Sequence, residues 1–195
     1  MADLWPWVTL ALLGAFHGLN PAMGWLFAVG LGLQERNRRA VGRALVPIAL
    51  GHAASLAATA ALLAAARGTL DERTVRLGVS GALVAFGGYR LVRGVRHKAR
   101  AGMRVGFAGL ALWSFLASSV HGAGLMAMPA LLELGAATTA AAVGIHTAAM
   151  LAVAGVIALA VFDRFGLGLL RRAWVNLDLL WALVLLLSGL LMLAL

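Results

Sequence analysis

The feature that most constrains this chain is a polar interruption in its first long apolar run. Residues Leu4–Leu33 are almost uniformly apolar, yet their middle reads Gly14-Ala15-Phe16-His17-Gly18-Leu19-Asn20-Pro21-Ala22-Met23-Gly24. A run of this length can cross a bilayer, for which about 20 residues suffice. A histidine, an asparagine, a proline and several glycines at its centre do not suit a plain anchor. Pro21 lacks the N–H that would close a helical bond to the carbonyl four residues back, which is that of His17. Within lipid, a freed backbone group must be satisfied by protein or by a water-lined cavity. A broken helix with polar side chains at mid-depth is therefore expected to form a substrate or ion site.

The rest of the chain has the same character. Of its 195 residues 63% are hydrophobic, and its mean hydropathy is +0.95. Several continuous apolar runs exceed about 18 residues, which excludes a soluble domain and the alternating pattern of a membrane β-barrel. The expected class is an all-α polytopic membrane protein, residues 1–195 forming a single membrane domain. The chain has no cysteine, so thiolate metal sites and thiol redox relays are excluded. The first Lys or Arg is Arg36, so the N-terminal run lacks the basic flank of a cleaved signal and is read as a retained span. The net charge of +9 lies in short loops beside apolar runs, where it sets topology and meets anionic lipid rather than nucleic acid.

Six spans are expected, at about Leu4–Leu33, Ala44–Ala66, Leu77–Val92, Val105–Leu132, Ala136–Phe162 and Trp174–Leu195. The third is short, so a five-span arrangement with a re-entrant third segment is the alternative. Spans 1 and 4 are interrupted, the latter by Ser118-Ser119-Val120-His121-Gly122-Ala123-Gly124 and again by Pro129. The loops after spans 1, 3 and 5, with Arg90, hold 13 of the Lys and Arg residues, against 3 on the other side. The positive-inside rule then places those loops in the cytoplasm and both termini outside, in a multi-pass protein of the cell membrane.

This topology exposes a repeat. Spans 1 and 4 run in opposite directions, and each carries His-Gly at its break, His17-Gly18 and His121-Gly122. The following span in each half carries a further histidine, in His52-Ala53-Ala54-Ser55-Leu56 and His146-Thr147-Ala148-Ala149-Met150. Two inverted three-helix repeats follow, residues 1–92 and 105–195, joined by a basic cytoplasmic linker at 93–104. At about 1.5 Å per residue, His17, His52 and His146 fall in the middle of a core about 30 Å thick. His121 joins them only if tilt and the break shorten its path.

The expected substrate or ion site is His17, Asn20, His52, His121 and His146, with hinges at Gly18, Pro21, Gly122 and Gly124. Imidazole suits Zn, Cu, Ni or Co, and thioether suits Cu(I). The four histidines with Met128 and Met150 make the candidate metal set. Met150 shares a helical face with His146 one turn on, and Met128 shares that of His121 two turns on. Asp178 is the one acidic residue clearly inside a span, near its start, so a hard, hydrated cation has little to bind. Asn20, Ser55, Ser118, Ser119, Thr138, Thr139 and Thr147 suit a polar solute. Gly14 and Gly18 form a small-xxx-small pair for close helix packing. No nucleophile–base–acid set and no phosphate loop is visible, so an enzyme is not expected.

The segment Gly14–Pro21, with a broken first helix, a histidine in span 2 and six spans in two halves, resembles the lysine-exporter superfamily. The nearest likeness is to its nickel/cobalt efflux and urease-accessory-like membrane proteins. That resemblance implies that His17 and the region of Pro21 form part of a cation path. Where those proteins place a second His or an Asp after the proline, this chain has Ala22 and Met23. The expected function is a transporter of a transition-metal cation through a midplane histidine site between inverted repeats. The alternatives are an exporter of a small polar metabolite, a haem-binding electron carrier using paired histidines such as His52 and His146, and an accessory subunit. The expected partners are the bilayer and the small-molecule or metal-ion substrate, with a homo-oligomer allowed.

Overall fold

A computed structural model describes residues 4–93, 106–165 and 177–194. These form eight α-helices with short 3-10 and π turns and no strand among the described residues. Most of the linker expected at 93–104 lies outside the described residues, as do residues 166–176 of the fifth loop and the start of span 6.

The first run is broken where proline and glycine require it. Helix α1 (Trp5–Leu19) ends at Asn20, whose backbone is extended. Pro21–Met23 form one 3-10 turn, capped by the Asn20 side chain, which accepts from the Ala22 N–H at 2.9 Å. Gly24 then takes φ +115°, a left-handed value open chiefly to glycine, and α2 (Trp25–Glu35) begins. The His17 carbonyl that Pro21 deprives of a donor is not left open, because the Asn20 N–H bonds it at 3.1 Å. The Trp25 indole closes the break from the far side by donating to the Leu19 carbonyl at 3.3 Å.

Helix α3 (Arg38–Thr69) is longer than the expected second span, starting inside the basic loop where the Asn37 side chain caps it, and it runs through Pro47. Helix α4 (Glu72–Arg93) is likewise longer than expected. Asp71 caps it by accepting from the Thr74 N–H and hydroxyl, which extends the helix well outside the apolar run. The fourth run splits into α5 (Phe107–His121) and α6 (Ala123–Glu133), bent by 70°. Gly122 makes the bend at φ +72°. Pro129 does not break α6, which continues past it. Helix α7 (Thr139–Ala160) follows a 3-10 turn and ends in a π turn, and α8 (Leu177–Ala194) comes last.

Among the described residues, three helices are long and apolar enough to cross a bilayer, Arg38–Thr69, Glu72–Val92 and Thr139–Arg164, and the bent pair α5–α6 makes a fourth if it is one span. The lipid-facing side is apolar, with Leu12, Leu62, Leu112, Val156 and Leu187 all exposed. This is a helical membrane protein.

Helix pairing is intimate. Helix α1 packs along α7, α5 along α3 and α4 along α8. A Cβ at Gly14 would meet the His146 carbonyl, and one at Gly18 would meet the Met150 carbonyl, so α1 and α7 run in the same direction. Ile48, His52 and Ser55 of α3 meet Ser114, Ser118 and Ser119 of α5 in that order, so this pair is parallel too. A Cβ at Gly87 would meet Leu186, and one at Gly189 would meet Leu83, which makes α4 and α8 antiparallel. At the ends, Arg38 pairs with Asp163 at 3.3 Å and Arg76 with Glu133 at 3.4 Å. The first loop thus meets the fifth, and the second meets the fourth.

Candidate functional site

The interior has two apolar clusters separated by a polar layer. One cluster gathers Leu10, Ala60, Leu63, Leu83, Met126, Leu131, Ala142 and Leu185. The other gathers Trp25, Val41, Ile48, Leu110, Met150 and Ala158. Each histidine-bearing segment passes from one cluster to the other at its histidine. His17 falls between Leu10 and Trp25, His52 between Ile48 and Ala60, and His146 between Ala142 and Met150. His121 falls between Leu110 and Met126, so the bend brings it to the layer that its place in an unbroken helix would miss. All four are 0% exposed.

His17, His52 and His146 form a triangle. Their ring centroids are 5.5 Å apart for His17–His52, 5.0 Å for His17–His146 and 5.3 Å for His52–His146, the last pair stacked at 7°. The rings come from three helices, and only the close approach at Gly14 and Gly18 lets α1 bring His17 against α7. Among the described residues, no group of three or more His, Asp or Glu side chains converges as a ready metal cage. The rings are packed side by side rather than aimed at one point.

Their hydrogen bonds differ in kind. Nδ1 of His17 lies 2.8 Å from the Leu13 carbonyl, and Nδ1 of His121 lies 2.8 Å from the Ala117 carbonyl. A carbonyl only accepts, so each Nδ1 carries the proton and each neutral ring keeps its Nε2 lone pair. The same bond, to the residue four back, thus recurs at both helix breaks. Nδ1 of His52 meets the Ser118 hydroxyl at 2.6 Å, and a hydroxyl can donate or accept. Nε2 of His52 and at least one ring nitrogen of His146 are buried without a hydrogen-bond partner. The Leu10 carbonyl is the backbone acceptor beside the His146 ring. A buried unpaired polar atom costs about 1–3 kcal/mol.

The other expected residues take different positions. Asn20 spends its side chain capping the 3-10 turn. Met150 is fully buried in the cluster beside Trp25 and Ile48. Met128 is partly buried against the opposite cluster. Pro21 opens the turn and Gly122 makes the bend, while Gly18 and Gly124 sit inside helices, where a Cβ at Gly124 would run into Thr59.

Three features escape sequence reading. Gly24, not Gly18, carries the left-handed conformation in the first break. Ser114 donates to the Ile48 carbonyl at 2.7 Å; its four-residue spacing from Ser118 was the available signal. Arg90, assigned from sequence to the third loop, lies in α4, is 5% exposed and donates to the Val120 carbonyl at 3.2 Å. It thereby places positive charge at the C-terminus of α5, where the helix dipole favours it.

No family model, curated protein or solved structure matches this chain.

Proposed function

We propose that this protein is a six-span transporter of two inverted three-helix repeats, and that its cargo is a transition-metal cation bound among His17, His52 and His146. The helix pairing supports the repeats. A two-fold axis in the membrane plane would exchange α1 with α5 and α7 with α3, turning one parallel pair into the other. It would also exchange α4 with α8, and a pair exchanged by such an axis has to be antiparallel. The salt bridges between alternate loops support their alternation across the membrane, and the excess of Lys and Arg on the first, third and fifth loops then puts both termini outside the cell membrane.

The observation that carries the cargo is the triangle of buried imidazoles with unpaired nitrogens on His52 and His146. Metal–nitrogen bonds of about 2.0–2.1 Å at tetrahedral angles put imidazole centroids about 5 Å apart, the spacing of this triangle. Turning the His146 ring about its side-chain bonds, with His52 held by Ser118, would bring its nitrogens toward the other two rings without moving the helices. Imidazole donors in a layer without a carboxylate suit Zn, Cu, Ni or Co better than Mg or Ca. Haem fits less well, because axial imidazoles on opposite faces of one iron have centroids about 6 Å apart with the macrocycle between them.

The test is metal content and binding in protein purified in mild detergent, beside a His52→Ala/His146→Ala double variant. One ion per chain, lost in the variant, is the expected result. Equal metal in both, or none in either after loading with zinc and nickel salts, would refute the cargo and turn attention to a small polar solute.

A further inference from the structure

A cavity of about 230 Å³ opens on the side of the second and fourth loops, lined by Ala60, Leu63, Ala64 and Arg67 of α3, Leu131 of α6, Leu134, Gly135 and Thr139. We infer that this cavity is the vestibule through which the histidine site communicates with that face of the membrane. The inference rests on the proposed transport function for its purpose, but its geometry is independent of the cargo. Two walls of the cavity are continuous with the site. Ala60 lies eight residues beyond His52 on α3, about 12 Å along the axis, and Thr139 lies seven before His146 on α7, about 10 Å. The two helices thus place the cavity floor at the same height above the stacked His52 and His146 rings.

Between the cavity and the histidines, hydroxyls on α3 run beside the apolar cluster of Leu10, Leu63 and Ala142. Ser55 and Thr59 follow His52 along α3, and the Ser55 hydroxyl meets that of Ser119 at 3.0 Å. Thr59 touches Gly124 at the start of α6, a glycine whose Cβ would collide with the Thr59 hydroxyl. The cavity has room for several waters. Arg67, on the cavity wall, donates to the Leu132 carbonyl at 2.9 Å, and Arg76 pairs with Glu72 and Glu133. Leu62, on the same stretch of α3, is 70% exposed and does not line the cavity, so it serves as the lipid-side reference.

The chain has no cysteine, so single substitutions in the full-length protein report directly. Ala64→Cys, Thr59→Cys, Ser55→Cys and Leu62→Cys are reconstituted in liposomes, with Asp71→Cys as the loop reference, and treated with a membrane-impermeant cationic methanethiosulfonate. Thiols react as thiolates, which form in water and not in lipid. Expected is modification from the side that labels Asp71→Cys, with rates falling from Ala64 to Thr59 to Ser55 and each at least about tenfold above Leu62→Cys. Labelling of Ala64→Cys alone would make the cavity a closed surface pocket and overturn the inference. So would rates at all three sites equal to that of Leu62→Cys, or reaction from the opposite side only. A protein that binds no metal yet labels in the expected order loses the proposed cargo and keeps the vestibule.

Discussion

Substituting Gly14 by alanine tests whether the histidine triangle depends on the close approach of α1 to α7. The new Cβ would stand 2.9 Å from the His146 carbonyl carbon and 3.1 Å from its Cα, and would overlap the carbonyl oxygen. Carbon atoms settle at about 3.5–4.0 Å, so the helices must part by roughly 1 Å. The obstacle is helix backbone, which cannot swing aside as a side-chain end can. Overpacking of this kind costs about 1–3 kcal/mol. At about 2–4 °C per kcal/mol for a chain of this size, the thermal midpoint in detergent should fall by about 2–12 °C. The parting also widens the 5.0 Å spacing of His17 and His146 beyond what a shared ion allows, so metal affinity should fall about 10–100-fold, as it does when groups that orient ligands are disturbed. Gly144→Ala is the control. It lies on α7 two residues before His146, with nothing within 4 Å of its added Cβ, and gains up to about 1 kcal/mol of helix propensity. A Gly14→Ala protein that melts and binds metal like Gly144→Ala would refute the reasoning.

Two further expectations follow from single contacts. Ser118→Ala removes the hydroxyl 2.6 Å from His52 Nδ1 and should lower metal affinity about 10–100-fold, with partial recovery in Ser118→Thr; affinity equal to that of the unaltered protein in a titration calorimeter would show that Ser118 does not orient the ring. Outside the spans, the Thr74 hydroxyl beside Asp71 holds its carboxyl below the ordinary value of 3.8. A lowered folded pKa makes the cap's contribution complete above the ordinary value and lost as pH falls through the lowered one. Amide exchange at Thr74 and Val75, corrected for intrinsic rates, should therefore stay slow from neutral pH to about 5 and quicken below about 4. Quickening already between pH 7 and 5 would rule out Asp71 as the group responsible.

Much of this architecture was legible in the residues. Long apolar runs require helices, because lipid offers no partner for the backbone. Pro21 and the glycines of the fourth run mark the two breaks, because the loss of an N–H and the access to a positive φ are local properties. The ends of the helices were less legible. Helices α3 and α4 extend beyond their apolar runs because Asn37 and Asp71 cap them in the polar loops, where hydropathy gives no signal. Arg90 was assigned to the solvent side because its charge was read without its partner, and that partner, the Val120 carbonyl, exists only because another helix bends nearby.

The sequence by itself determined the class, the breaks and the four histidines placed at or after them. Tertiary structure alone decided which groups meet. His52 finds Ser118 across 66 residues of chain, His17 reaches His146 because two glycines admit a neighbouring backbone, and Asn20 turns to its own turn rather than to the histidines. The physical reason lies in the solvent. In a bilayer both the lipid side and the core side of a helix are apolar, so the sequence carries little of the amphipathic stripe that would tell which way each helix faces. Rotation and crossing are then set by small residues and polar partners on other helices, and these are known only once the helices are packed.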